Sequence, residues 1–452
     1  MSKDALQRFI FLRPLAVMVR CIIQEILDDG LDAVFEENRQ RQYQREMLFS
    51  QLAITMADVV LGLEASPHQA YKTHREDLRV SVTCFYDKLN RVETSVSESM
   101  VRYAYERAKV MQENLGFVGE EPIPGYRARA IDGNHLQKTQ KRIGELRGLA
   151  SAALPGTVVA TYEVASGLFD RAYLLENAHA QEATVLDRVL EDTAKKDLII
   201  GDRHFCILSF LRGIAACGAT FVIRQHGRLK GQLVGKRRRI GRIETGMVYE
   251  QKLVIGKTDD DPGMTVRRVT VELDEPTRDG DTEIHILTNI PVSDANACKI
   301  AEVYRQRWDI ENGFYLLTTT MTCEVKGLGY PLAALFVFCT AMVAYNGMRV
   351  MMAALNAAHG EEAVAELSAY SMSKEIAKSS DGLQVIFTEE EWNALVPHTA
   401  KRQARFLINT AKHVDLKRHR KSRRGPKKKP PKRKGYKNGG HVATAKLLNN
   451  RN

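Results

Sequence analysis

Three acidic residues stand where a carboxylate has chemical use. Asp132, in Ala130-Ile131-Asp132-Gly133-Asn134, falls on the same side of a strand-like alternation as Ala128 and Ala130. Asp202 directly follows Leu198-Ile199-Ile200-Gly201, a fully apolar strand pattern, at the carboxyl end where open α/β sheets place their sites. Asp-Gly and strand ends are also ordinary turn positions, so neither acid says much alone. Glu311 lies in Tyr304-Arg305-Gln306-Arg307-Trp308-Asp309-Ile310-Glu311-Asn312-Gly313-Phe314. On a helix, offsets of 3, 4 and 7 put Arg307, Trp308 and Glu311 on the face of Tyr304, beside an apolar stripe of Ile310, Phe314 and Leu317. An Arg307–Glu311 pair worth ~0.2 to 0.5 kcal/mol accounts for the charges but not for the aromatic residues next to them. Three carboxylates meeting on rigid elements would suit hard, oxygen-seeking divalent cations.

The elements that must position them are legible in outline. Residues 1–120 read as helices, with apolar residues at helical spacing in Phe9 to Leu27, Leu48 to Leu63 and Val101 to Met111, and are expected to form a separate domain. Glu121-Pro122-Ile123-Pro124-Gly125 breaks that pattern. In 121–225, strands are expected at Ala128 to Leu136, Thr157 to Glu163, Arg171 to Leu175, Leu198 to Gly201 and Thr220 to Arg224, with helices at Glu182 to Lys195 and Phe205 to Cys217. That order implies an α/β fold, a mixed sheet with flanking helices. Residues 226–290 read as a β-rich insertion with strands at Met247 to Ile255, Thr265 to Leu273 and Glu283 to Ile290. Ser293 can cap a helix that runs past Glu311, so 291–355 returns to the α/β domain begun in 121–225, and 356–416 is a C-terminal helical region. The apolar run Leu332 to Tyr345 is short of the ~20 residues a membrane span needs and reads as a buried helix.

Charge is unevenly placed. The chain has 452 residues with 66 Lys+Arg against 55 Asp+Glu; 13 of the basic residues lie between Lys417 and Lys437, leaving 53 basic against 55 acidic elsewhere. The tail 417–452 cannot bury apolar surface and repels itself, so disorder is expected, and its charge suits a nucleic acid backbone. A second basic cluster comprises Arg224, Arg228, Lys230, Lys236, Arg237, Arg238, Arg239 and Arg242. Two basic surfaces on one chain favour a long polyanion, and DNA contact is expected there too. Seven scattered cysteines without a Cys-x-x-Cys pair argue against disulfides and cysteine zinc sites and for a reducing, cytoplasmic compartment. No phosphate-binding Gly-x4-Gly-Lys-Ser/Thr loop occurs, so ATP use is not expected.

The spacing Tyr304-x2-Arg307-x3-Glu311, with Arg307-Trp308-Asp309-Ile310-Glu311 around it, resembles the signature helix of the insertion-sequence DDE transposases known as the YREK group. The order Asp132, Gly201-Asp202-Arg203, insertion, glutamate helix is similar to that family over much of the chain. The resemblance implies an RNase H-like mixed sheet interrupted by a β-rich insertion, with Asp132, Asp202 and Glu311 as catalytic and metal-holding residues and two Mg2+ (or Mn2+) ions. It implies DNA cleavage at element ends and strand transfer into target DNA. Tyr304 and Arg307 would contact phosphates, Trp308 would support a displaced base or belong to the core, and Arg237, Arg238 and Arg239 would bind DNA. By the same analogy the N-terminal helices recognise terminal DNA, a homodimer forms on DNA, and the protein is cytoplasmic and nucleoid-associated, with no membrane or ATP involvement. The chain departs from the signature at its lysine, where Thr318 stands seven residues after Glu311. Two other readings stay open: an RNase H-like nuclease without strand transfer, and a domesticated, non-catalytic DNA-binding protein.

Overall fold

A computed structural model describes residues 2–44, 46–136, 143–146, 153–277, 280–325, 327–422 and 442–449. Its centre is a nine-stranded sheet of β1 (Arg127–His135), β3 (Thr157–Glu163), β4 (Leu168–Leu175), β5 (Asp197–Gly201), β6 (Thr220–Arg224), β7 (Gly231–Ile243), β8 (Gly246–Ile255), β9 (Met264–Leu273) and β10 (Glu283–Thr288). The spatial order is β4-β3-β1-β5-β6-β10-β9-β8-β7. β1, β5 and β6 run parallel, with Ile131 opposite Gly201 and Gly201 opposite Ile223; the other neighbours are antiparallel. Burial on both faces explains why the central β5 has no polar alternation.

Alternate residues feed opposite layers. Ile131, Ile199, Phe221 and Ile223 pack with the helix Leu208–Ala216 on one face. Ala128, Leu198, Ile200 and Val222 pack with the helix Ala297–Arg305 on the other. Asp132 and Asp202 continue the second series, two residues beyond Ala130 and Ile200, so period-2 geometry directs both toward the layer that carries Glu311. Arg129 fixes the register behind them. It is fully buried, pairs with Asp170 at 2.8 Å and Asp197 at 3.2 Å, and donates to Thr161 Oγ1 at 2.9 Å.

Four expectations are revised. The strands of 226–290 do not form a separate insert; β7 to β10 extend the central sheet, because β10 pairs with β6. β7 itself, thirteen residues long and solvent-facing over almost its whole length, was not expected as a strand, since its run of Lys and Arg hides the pattern. The helices of 1–120 are not set apart: Leu15, Ile22, Leu52 and Val101 share one apolar core with Ala130 and Phe169 of the sheet and with Phe338 and Leu407. The tail is not uniformly without structure. Leu416–His419 is a 3-10 turn, and β11 (Val442–Ala443) pairs in parallel with β2 (Ala153–Leu154), followed by the helix Thr444–Asn449. Leu447 and Leu448 pack on Ile143 there; the basic stretch 423–441 lies outside the described residues. The helix Pro331–His359 is apolar and long enough to cross a bilayer by composition, yet Phe336, Phe338, Met342 and Val350 are fully buried in the core.

Candidate active site

The parallel pairing of β1 and β5 brings the carboxyl ends of these strands side by side, and Asp132 and Asp202 each sit one residue beyond the Ile131–Gly201 pair. The third acid arrives on the helix Trp308–Thr320, whose Ile310, Phe314 and Leu317 are buried against the core. Gly313 lets this helix close on the sheet, since a Cβ there would stand 2.9 Å from the Phe169 ring. The helix expected to start at Ser293 is two helices: Asn296 caps Ala297–Arg305 by accepting from Lys299 N at 2.9 Å, and the chain turns at Gln306 and Arg307 before Trp308. A single-helix offset therefore holds for Arg307 and Glu311 but not for Tyr304.

Asp132 lies within electrostatic reach of the other two acids. Burial pushes the Asp132 carboxyl up to about 7; a hydrogen bond from Gly133 N at 2.9 Å and the charge of Arg307 draw it down, while Asp202 and Glu311 push it up. Asp202 accepts from His204 N at 2.7 Å and faces His204 Nδ1 at 2.9 Å. Glu311 is paired with Arg307, the simple i,i+4 contact foreseen from the spacing. No group of three or more His, Cys, Asp or Glu among the described residues forms a ready-made metal shell. The donors suit a hard divalent cation, and Asp132 feels both other acids, but Glu311 and Asp202 are engaged by Arg307 and His204 as folded.

The flanking residues divide. Tyr304 is buried with its ring 5.9 Å from Arg307, and burial first, then the opposing pull of Arg307 and Arg224, sets its raised phenol. Trp308 is 58% exposed, which removes the core reading, and its ring lies 5.3 Å from the Arg307 guanidinium. Arg237, Arg238 and Arg239 lie on β7, the edge strand, five places from β5 in the sheet order. Arg237 pairs there with Glu272 at 2.7 Å and Glu283 at 3.1 Å and covers Tyr249 at 4.0 Å, so it braces its own sheet. Thr318 does not stand in for a lysine: its hydroxyl donates to Phe314 O and Tyr315 O, each at 3.1 Å.

Two further neighbours adjoin the acids: Arg224, read from the sequence only as part of the second basic cluster, and Glu182, which was not anticipated. Arg224, at the end of β6, shares the Asp202 edge and pairs with Asp281 at 2.6 Å. The signal for it was present, because β6 was expected as the next strand. Glu182 lies against Gly133, so that any side chain at 133 would collide with its carboxylate. Burial raises the Glu182 carboxyl, with His204 lowering and Asp202 raising it further. Nothing in the local spacing links 182 to 133.

Residues 124–346, just under half of the chain, match the family described as a transposase DDE domain, and this match supports the class of a DDE transposase. Among solved structures, a cryo-EM structure of a piggyBac transposase synaptic complex with hairpin DNA is similar at 11% identity and a TM-score of 0.44, over 87% of this chain and 85% of that one. No curated protein matches the chain.

Proposed function

We propose that the protein is a DNA transposase that cuts phosphodiester bonds at element ends and joins the freed ends to target DNA. The observation that carries this reading is the placement of Asp132 and Asp202 one residue beyond the paired carboxyl ends of two adjacent parallel strands, with Glu311 among the charges that act on Asp132. Asp132, Asp202 and Glu311 would hold Mg2+ or Mn2+, two ions in this reading. When bound, such ions supply charge neutralisation at the attacking and leaving oxygens of an in-line displacement.

The chain's own groups do the rest. Arg307 and Tyr304 orient a phosphate beside Glu311, and exposed Trp308 offers a ring to a displaced base. In the first displacement water attacks phosphorus and a 3′-oxygen leaves; in the second, that 3′-hydroxyl attacks a target phosphodiester and a target 3′-oxygen leaves. No covalent bond to the protein is needed. The N-terminal helices, Arg238 and Arg239 on β7 and the basic residues of 417–452 are assigned to DNA backbone, and two copies would hold two ends. A cytoplasmic, nucleoid-associated location belongs to the same proposal.

The test uses purified full-length protein and duplexes copied from the inverted repeats flanking its gene. Mg2+-dependent nicking and joining of a pre-cut end are expected. Cutting without joining would leave a nuclease; binding without either would leave a DNA-binding protein.

A further inference from the structure

The solvent side of the helix Trp308–Thr320 carries Trp308, Asn312, Tyr315 and Thr319, spaced by four, three and four residues and all exposed or half-exposed. Trp308 and Tyr315 are each 58% exposed, although the protein buries most of its large aromatic side chains. The helix cannot roll to cover them, because its other side is locked by Ile310, Phe314 and Leu317 in the core. The stripe has no charge, yet it adjoins one: Arg307 lies over the Trp308 ring, and its buried Nε has no hydrogen-bond partner among the described residues. A ligand combining an anionic group with flat apolar rings satisfies both features, and a nucleotide is such a ligand.

We infer that Tyr315 is a stacking surface for an unpaired nucleobase of the DNA end, one helical turn beyond Glu311. Four residues of helix separate Tyr315 from Glu311 by about 6 Å, and seven separate it from Trp308 by about 10 Å, so two bases of a splayed strand can each meet a ring. A base inside a double helix does not fit, since both of its faces are already stacked. The grip is apolar and tolerant of base identity, whereas a lysine at 318 would grip a phosphate and respond to salt. The inference rests on the transposase reading.

The test is binding of the full-length protein, without divalent metal, to a duplex with a single-stranded 3′ overhang that carries 2-aminopurine at its first unpaired position. Wild type is expected to quench the fluorophore. Tyr315→Ala is expected to lose most of the quench and roughly ten-fold in affinity, the usual effect of removing one stacked base, with the salt slope unchanged. Tyr315→Phe should keep both, and neither variant should alter binding to a fully paired duplex. Wild-type quench by Tyr315→Ala overturns the inference, as does an equal loss on paired DNA or a failure of Tyr315→Phe. A change of oligomeric state in Tyr315→Ala by sedimentation would assign the stripe to a second copy of the chain instead. If the protein cuts DNA but Tyr315→Ala quenches normally, only this inference fails; if quenching follows Tyr315 but no cutting occurs, only the catalytic reading fails.

Discussion

β1 carries two charge clusters three residues apart, and they are built on opposite plans. At Arg129 a fully buried cation is matched by Asp170 and Asp197, with Arg127 adding a second contact to Asp197 at 2.8 Å. Burial alone would push Asp170 up, but Arg129 holds it below the usual carboxylate range. At Asp132 the excess is negative: Asp202 and Glu311 push its carboxyl up, Asp202 also raises that of Glu182, and Arg307 and His204 are the adjoining partners. The first cluster balances its charges inside the fold, although Arg129 Nε and both Asp170 carboxylate oxygens make no hydrogen bond among the described residues, and it holds the register of the sheet. The second leaves charge to be met from outside, which costs stability and gives a site its purpose.

Amide replacement separates the two most sharply. Asp202→Asn or Glu311→Gln is expected to reduce Mg2+-dependent cleavage by roughly a thousand-fold or more while DNA binding persists, read by nicking and by gel shift. A variant with full activity would remove its residue from the site. Arg129→Met acts on the other cluster: Asp170 and Asp197 lose their buried partner, and stability should fall by about 3 to 5 kcal/mol in urea unfolding. If that variant is as stable as wild type, the Arg129 cluster is not what holds β1 to β5.

The pH response distinguishes the plans in the metal-free protein. The Asp132 carboxyl is raised from 3.8 to about 7 on folding, so the unfolded chain loses this proton more easily, and ionisation in the fold costs stability as pH rises from about 4 through about 7. Asp132→Asn should therefore stabilise the metal-free protein by roughly 1 to 2 kcal/mol near about pH 8, after allowing for partial exposure and for the charge of Arg307 left without this acid, and change little near about pH 4. Thermal melts in chelator check this; equal melting at both pH values would show Asp132 unstrained. Replacing the Lys and Arg of 423–437 by Gln should weaken DNA binding about ten-fold and flatten its salt slope by about 0.9 for each phosphate no longer neutralised. The smallest effect is expected from Thr318→Lys, which restores a cation beside Glu311 and should tighten end binding about three-fold in low salt.

The elements that carry the three acids were legible along the chain, residue by residue. Asp202 followed from an apolar strand and Glu311 from a helix with separate polar and apolar sides, because period and burial are local signals. Thr157–Glu163 and Thr220–Arg224 stand at the bounds the alternation gave. β7 was missed because an edge strand in solvent has no buried face to imprint a period. The break between Ala297–Arg305 and Trp308–Thr320 was missed because neither Gly nor Pro marks Gln306-Arg307, and packing on two different parts of the sheet bends the chain there.

The sequence by itself determined the order of the three acids, the strands that carry two of them and the face of the helix that carries the third. Only the tertiary structure decided that Glu182 and Arg224 join them, that Arg237 is spent bracing its own sheet, and that Trp308 and Tyr315 face water. The reason is physical: periodicity records which side of an element is buried, but which distant charges share an edge depends on strand order, and strand order is set by long-range pairing that no local pattern encodes.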